Sequence, residues 1–197
     1  YALSAMLRNM GMKVIDLGIV ADTPEATEQA LLDAASMSDC ILTSGGVSVG
    51  EEDHVKAAVE KLGQLELWKL SIKPGKPLAY GEVQGVPFFG LPGNPVSTFV
   101  TFHIVARQYL LAMQGLSDYK PFCVTGVSDF SFKGGGRREY LRVQTQNIEG
   151  QTRLSKFPNQ GSGIMTSVVW ADALAMVEAG QVVRPGDRLT IYPLALC

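Results

Sequence analysis

Cysteine is scarce in this chain, and what there is lies scattered: Cys40, Cys123 and Cys197 share no CxxC spacing. An odd, dispersed set excludes a disulfide framework and a cysteine-built zinc site, and fits reduced thiols in a cytosolic protein. Cys40 stands in an apolar run and reads as a small core residue. Histidine is scarcer still. His54 and His103 are too far apart in sequence to pair on a metal, and His103, on an apolar stretch, reads as a packed side chain with its hydrogen bond satisfied. Charge is thin as well: charged residues make up 18%, the formal net charge is -2, and no lysine or arginine stripe occurs. This excludes a general field attracting nucleic acid. The most basic spot, Gly134-Gly135-Gly136-Arg137-Arg138, is too short to carry an argument. No apolar run is long enough to span a bilayer or has the form of a secretory leader.

What is present is 197 residues at 46% hydrophobic composition, enough for one large or two small domains with a genuine core. The chain opens with Tyr1 already in a helical pattern (Leu3, Met6, Leu7, Met10), closed by Gly11. Doubly wound units normally begin with a strand, so this opening, without an initiator methionine, reads as a piece of a longer protein whose first strand lies upstream. Met12–Leu17 is predicted as a strand leading to Asp22. Thr23-Pro24 then caps a helix with proline at its first position and Glu25 in the first turn. Leu31, Leu32 and Ala35 supply its apolar face.

Cys40–Thr43 is the next predicted strand, and Val55–Leu62 a helix ended by Gly63. Leu65–Leu70 reads as a strand, and Ile72–Pro77 as a proline-stiffened loop. Leu78–Tyr80 and Val86–Phe89 flank a hairpin-like turn at Gln84-Gly85. Val96–Leu111 reads as one long, largely apolar helix. This alternation predicts an α/β fold with a mostly parallel, doubly wound sheet and helices on both faces. Residues 1–115 form that domain, and 116–120 a linker. From 121 to 197 the helical period disappears. Short candidate strands at Phe122–Val127, Glu139–Val143, Thr152–Leu154, Ala173–Glu178 and Leu189–Tyr192, with a plain turn at Arg184-Pro185-Gly186-Asp187, predict a small all-β, barrel-like domain.

The richest stretch for chemistry runs from Thr43 to His54. A buried strand there feeds a bend containing Ser44, Gly45, Gly46, Ser48 and Gly50, then Asp53, then a helix. Such a bend at the carboxyl edge of an α/β sheet makes an anion site. Asp53 would repel a bare anion, so an acid there points to a divalent cation or a reacting group. Asp22 ends the preceding predicted strand, and two carboxylates facing one crevice would suit Mg²⁺ beside a phosphate. The bland alternatives are a solvated turn for the glycine-rich bend and an extra helix cap for Asp22. Lys69, Lys73 and Lys76 recur around the proline-stiffened loop, where they could clamp an oxyanion or simply be solvated. Pro92-Gly93-Asn94-Pro95 opens a helix directly after a strand, a second anion-accepting end, although Asn94 could serve only as a cap. Ser162, in Gln160-Gly161-Ser162-Gly163, is the comparable polar turn of the second domain, and Arg137 and Arg138 could contribute to it. The bend matches neither a nucleophile elbow, a dinucleotide fingerprint nor a Walker A loop.

Three segments in this order, Thr43–Asp53, Trp68–Pro77 and Leu91–Ser97, resemble the MoeA family of molybdopterin molybdenumtransferases. Gephyrin's C-terminal region is similar, and the resemblance covers the whole chain. It implies insertion of molybdenum from molybdate into adenylylated molybdopterin, with release of AMP and a divalent cation assisting. It carries the site acids onto Asp22 and Asp53, as Mg²⁺ ligands, and the lysines onto Lys69 and Lys73. Ser44, Gly45, Gly46, Ser48, Gly50 and Lys76 fall in the binding motifs. Pro92, Gly93, Asn94 and Pro95 match a pocket-lining turn, and Ser162 a position near the site. The resemblance also implies a cytoplasmic homodimer with two further N-terminal domains, and the molybdopterin adenylyltransferase as a second partner. Three alternatives stand beside it: the adenylyltransferase itself, which shares the fold, a non-catalytic pterin carrier, and a scaffold of the kind gephyrin provides. Molybdate and tungstate are not distinguished by these residues.

Overall fold

A computed structural model describes residues 1–46 and 54–194, and for 67 and 68 the backbone alone. In chain order the helices are α1 (Ala2–Asn9), α2 (Pro24–Met37), α3 (His54–Leu62), α4 (Pro95–Thr101), α5 (Arg107–Met113) and α6 (Thr166–Trp170), with a π-helical turn at Phe102–Ala106. The first five strands are β1 (Ile41–Ser44), β2 (Gly63–Lys69), β3 (Ile72–Lys73), β4 (Pro77–Val83) and β5 (Val86–Leu91). The remainder are β6 (Val124–Ser128), β7 (Phe132–Lys133), β8 (Arg138–Ile148), β9 (Gln151–Lys156), β10 (Ala173–Val177), β11 (Val182–Val183) and β12 (Arg188–Pro193). Two compact units result, Tyr1–Leu70 with Gly75–Thr101, and Ser71–Pro74 with Phe102–Cys197. Among the described residues no helix is long and apolar enough to cross a membrane.

In the first unit the sheet order is β1-β5-β4-β2. Only β1 and β5 pair in parallel; β5–β4 and β4–β2 are antiparallel. The expectation of a mostly parallel doubly wound sheet is therefore wrong, and the cause is local. Gln84 and Gly85 both adopt positive φ, 51° and 79°, the geometry of a two-residue hairpin turn. A hairpin returns the chain beside itself without a crossover helix, which forces β4 against β5 in antiparallel fashion. Following the pairings around, β1, β5 and β2 still point the same way and β4 alone opposes them. Leu31, Ile41, Ala58, Val59, Ala79, Val83 and Phe88 form the core shared with α2 and α3. On the other face Tyr80 and Phe89, register partners, bring their rings to 5.0 Å.

Helix α2 begins as its sequence dictates: Thr23 is extended, and its Oγ1 accepts a hydrogen bond from the Ala26 N–H at 3.2 Å. Gly11, at φ 77°, closes α1. The strand expected at Met12–Leu17 does not form. Alternating apolar residues make a strand only where a neighbour completes the ladder, and none of the described strands pairs with this segment. Ile15, Leu17 and Ile19 remain exposed.

The second unit closes into a ring, β8-β10-β12-β6-β9 and back to β8, with β3 added on β8. One long strand makes the closure possible. The first half of β8 pairs with β10 (Glu139↔Val177 to Val143↔Ala173) and the second half with β9 (Val143↔Lys156 to Ile148↔Gln151). Leu141, Val143, Leu154, Ala173, Ala175, Val177, Val183, Leu189 and Ile191 fill the interior.

The expected single helix at Val96–Leu111 is broken by the π turn. There the Gln108 side-chain amide donates to the His103 carbonyl at 2.9 Å. His103 packs edge-on to Phe102 at 5.6 Å, and burial, followed by the Arg107 charge, pushes its pKa down to about 4. The fold thus holds this imidazole neutral, while the unfolded chain charges it below about pH 6.5. Stability is full above that pH and declines as pH falls towards 4, by about 3 kcal/mol. Melts of wild type and His103→Gln across that range test this: the substitution should remove this part of the acid slope, and identical slopes would refute it.

Candidate substrate-binding site

Register brings two of the predicted motifs together. Strands β1 and β5 run parallel with Ser44 opposite Leu91, so both end at the same level of the sheet. The Gly45 N–H donates to the Leu91 carbonyl at 2.9 Å. Gly45 and Gly46 adopt φ of 96° and 68°, which only glycine takes without strain. A Cβ on Gly93 would come within 3.6 Å of the Gly45 Cα, so the bend after β1 and the turn Pro92–Pro95 touch through backbone. Ser44, Gly46, Gly93, Asn94 and Pro95 are exposed there, and Pro92 is buried beneath them. Asn94 anchors the start of α4 through its carbonyl, which accepts from the Thr98 N–H at 2.9 Å and the Thr98 hydroxyl at 3.1 Å.

Lys69 ends β2, and because β2 points the same way as β1 and β5, it emerges at that same carboxyl edge. Lys76 directly precedes β4 at this edge, and its carbonyl accepts from the Leu70 N–H at 2.8 Å. Both lysines are exposed. Strands spaced about 4.8 Å apart put Lys69 about 10 Å from the Pro92 turn and about 14 Å from Ser44 along the edge. Asp22 is exposed on the loop before α2, whose cap is supplied by Thr23. Since no strand forms at 12–17, sheet register does not carry Asp22 to this edge. Ser48, Gly50 and Asp53 lie outside the described residues.

Lys73 and Ser162 belong to the second unit. Lys73 lies on β3 opposite Glu139 of β8, and its Nζ is 3.1 Å from Glu139 Oε2. Glu139 is buried, and its other oxygen accepts from the Gly135 N–H at 2.8 Å. Arg137 and Arg138 do not turn towards Ser162. Arg137 donates to the Ile72 carbonyl at 2.9 Å, and Arg138 pairs with Glu178 at 2.8 Å. The Ser162 turn is held instead by Arg142, which is 1% exposed. Its guanidinium donates to the Gly161 carbonyl at 3.2 Å, to Ser167 Oγ at 3.1 Å and to the Tyr140 carbonyl at 3.3 Å. The Gln160 amide closes the same turn by pairing with both the N–H and the carbonyl of Arg142, at 2.9 and 3.0 Å. Burial lowers the Arg142 pKa to about 10, partly countered by the Glu139 charge.

Glu139, Arg142 and Gln160 escaped the sequence reading. A signal was there: two charges embedded in Glu139-Tyr140-Leu141-Arg142-Val143, a run otherwise fit for a barrel strand, call for partners. Among the described residues no group of three or more His, Cys, Asp or Glu side chains could hold a metal. Cys40 is half-buried, with its thiol pKa pushed up to about 12 mainly by burial, and is inert at neutral pH.

Residues 1–112 match the family model described as "Probable molybdopterin binding domain", and residues 127–194 the "MoeA C-terminal region (domain IV)". The chain belongs to the molybdopterin molybdenumtransferase (MoeA) family. It is 36% identical to the molybdopterin molybdenumtransferase of Haemophilus influenzae, over 98% of this chain and 49% of that one. It is 34% identical to the molybdenum cofactor synthesis protein cinnamon of Drosophila melanogaster, over 93% of this chain and 31% of that one. Among solved structures, the molybdopterin biosynthesis moea protein of Pyrococcus horikosii aligns with a TM-score of 0.79 at 26% identity. That alignment covers 98% of this chain and 46% of that one. A molybdenum cofactor biosynthesis protein from Pyrococcus furiosus aligns at 0.76, also at 26% identity, covering 98% and 62%. The chain spans about half the length of the MoeA relative from H. influenzae and about a third of cinnamon.

Proposed function

We propose that this chain is the part of a molybdopterin molybdenumtransferase that receives adenylylated molybdopterin and molybdate, inserts the metal and releases AMP. The observation that carries the reading is the shared edge. The Gly45-Gly46 bend and the Pro92–Pro95 turn touch there, Lys76 stands about 5–10 Å along the same edge and Lys69 about 10–14 Å. That span suits an extended ligand with phosphates and a ring system at its two ends. Backbone N–H groups of the bend, with Ser44, Gly46, Ser48 and Gly50, bind phosphate oxygens. Pro92, Gly93, Asn94 and Pro95 line the adjoining wall, and Ser162 adds a hydroxyl.

Lys69 and Lys73 hold oxyanion oxygens and stabilise the charge that grows on AMP as the phosphoanhydride breaks, with Lys76 supporting the bound phosphates. Asp22 and Asp53 orient the attacking water. Asp22 and Asp53 would hold Mg²⁺, a hard cation satisfied by one or two protein carboxylates plus phosphate oxygens, and it would supply charge neutralisation. Residues 1–115 are the pterin-binding domain and 121–197 the β domain, joined by 116–120. Homodimerisation, exchange with the molybdopterin adenylyltransferase and a cytoplasmic site of action complete the reading, with no role for nucleic acid or membrane. The match of 127–194 to the MoeA C-terminal region favours this reading over the adenylyltransferase alternative.

The test uses the full-length protein. Lys69→Ala and Asp53→Asn should each cut cofactor formation from adenylylated molybdopterin at low molybdate by about 10²-fold. Wild-type rates in both would sink the assignment.

A further inference from the structure

Glu139 is one of the few buried charges in the second unit, and its environment is lopsided. The carboxylate is only 5% exposed, yet its cation, the Lys73 ammonium, is 53% exposed. One carboxylate oxygen is tied to the Gly135 N–H, which fixes the group in place; the other faces Lys73 at 3.1 Å. Strand β3, which carries Lys73, is bound to β8 by the parallel pair Lys73↔Glu139. It is also held by the Arg138 N–H on the Ser71 carbonyl and by Arg137 on the Ile72 carbonyl. Backbone register and side-chain pairing thus converge on a single ammonium. An ammonium has three donors, and Glu139 engages one side of it, leaving the exposed side for another anion.

We propose that Glu139 is a positioning residue for Lys73: it aims the ammonium and partly offsets its charge, so that an incoming oxyanion is held for reaction without being bound too tightly. This rests on the role assigned above to Lys73. The two effects lower KM and kcat together, whereas a merely structural loss would raise KM as kcat falls. Glu139→Gln keeps the shape and an oxygen for the Gly135 N–H but removes the charge. Oxyanion binding should then tighten while the aim of the ammonium is lost.

In the full-length protein, with molybdate as the varied substrate, Glu139→Gln should lower KM about fivefold, the scale of a partly exposed ion pair, and lower kcat about tenfold. In a Lys73→Ala background the same substitution should leave KM unchanged. Glu139→Asp keeps the charge but withdraws it by one methylene, so it should lower kcat with KM near wild type, and it serves if the glutamine protein does not fold. Values of kcat and KM unchanged in these variants, or a KM that rises, would overturn the proposal, as would a full effect persisting without Lys73. If Lys73→Ala alone retained wild-type turnover, the role of Lys73 itself would fail. Impaired Lys73→Ala with unchanged Glu139 variants would refute only the positioning role.

Discussion

Arg142→Met should lower the thermal midpoint of the second unit by about 12–20 °C. The guanidinium is 1% exposed and donates to two carbonyls, Tyr140 and Gly161, and to Ser167 Oγ. Methionine fills much the same space but donates nothing. The Tyr140 carbonyl would be left without this donor, at about 1–3 kcal/mol, whereas the Gly161 carbonyl keeps the Ile164 N–H at 3.4 Å and Ser167 its own bond to the Ile164 carbonyl at 2.6 Å. With the two weaker bonds also lost, a net loss of about 3 kcal/mol follows, and in a domain of this size each kcal/mol moves the midpoint by about 4–8 °C. Removing the desolvation cost of a buried cation returns part of the loss, so the lower end of the range is the better guide. Calorimetry decides the matter. A midpoint within a few degrees of wild type would mean that the turn carrying Ser162 holds itself together.

Gly81→Ala should disrupt the first unit comparably, by steric overlap rather than by a lost bond. A Cβ at Gly81 would overlap the Gln64 carbonyl oxygen across the β2–β4 pair, and one at Gly63 would overlap the Glu82 carbonyl oxygen. Both obstacles are backbone, which no rotamer change can move aside. The alanine protein must separate β2 from β4, at about 3 kcal/mol or more, and Lys69 at the end of β2 shifts with it. Denaturant unfolding should show a lower midpoint, and cofactor formation should fall in the same protein. An unchanged midpoint would show that the strands can part without cost.

Local chemistry was legible in the sequence, and pairing was not. Thr23-Pro24-Glu25 announced a helix start, and Gly11 a helix end, because caps depend on residues within one turn of each other. The glycine-rich bend after β1 and the Pro92–Pro95 turn were each visible as motifs. Their meeting was not, because it depends on Ser44 standing opposite Leu91, forty-seven positions along the chain. Helix–strand alternation points to a parallel sheet, but the two-residue turn at Gln84-Gly85, equally visible in the sequence, decides the direction of β4 against β5. Met12–Leu17 had a strand's alternation without a partner for its ladder. Lys73 stands out in the sequence as one of three lysines around a proline-stiffened loop and Ser162 as part of a polar turn, while Glu139 and Arg142, which hold Lys73 and the Ser162 turn, sit inside an apparently ordinary strand.

Both hidden residues lie on β8, and that strand gives them a fixed separation. They are three positions apart, about 10 Å of extended chain, and this half of the strand is fixed by its ladder with β10. It acts as a spacer of set length between the lysine that Glu139 holds and the serine turn that Arg142 holds. Inserting or deleting one residue between them would do more than lengthen or shorten it. It would turn one of the two charges to the opposite face of the strand. Exchanges of side chain in this stretch leave that spacing intact, whereas a change of its length does not.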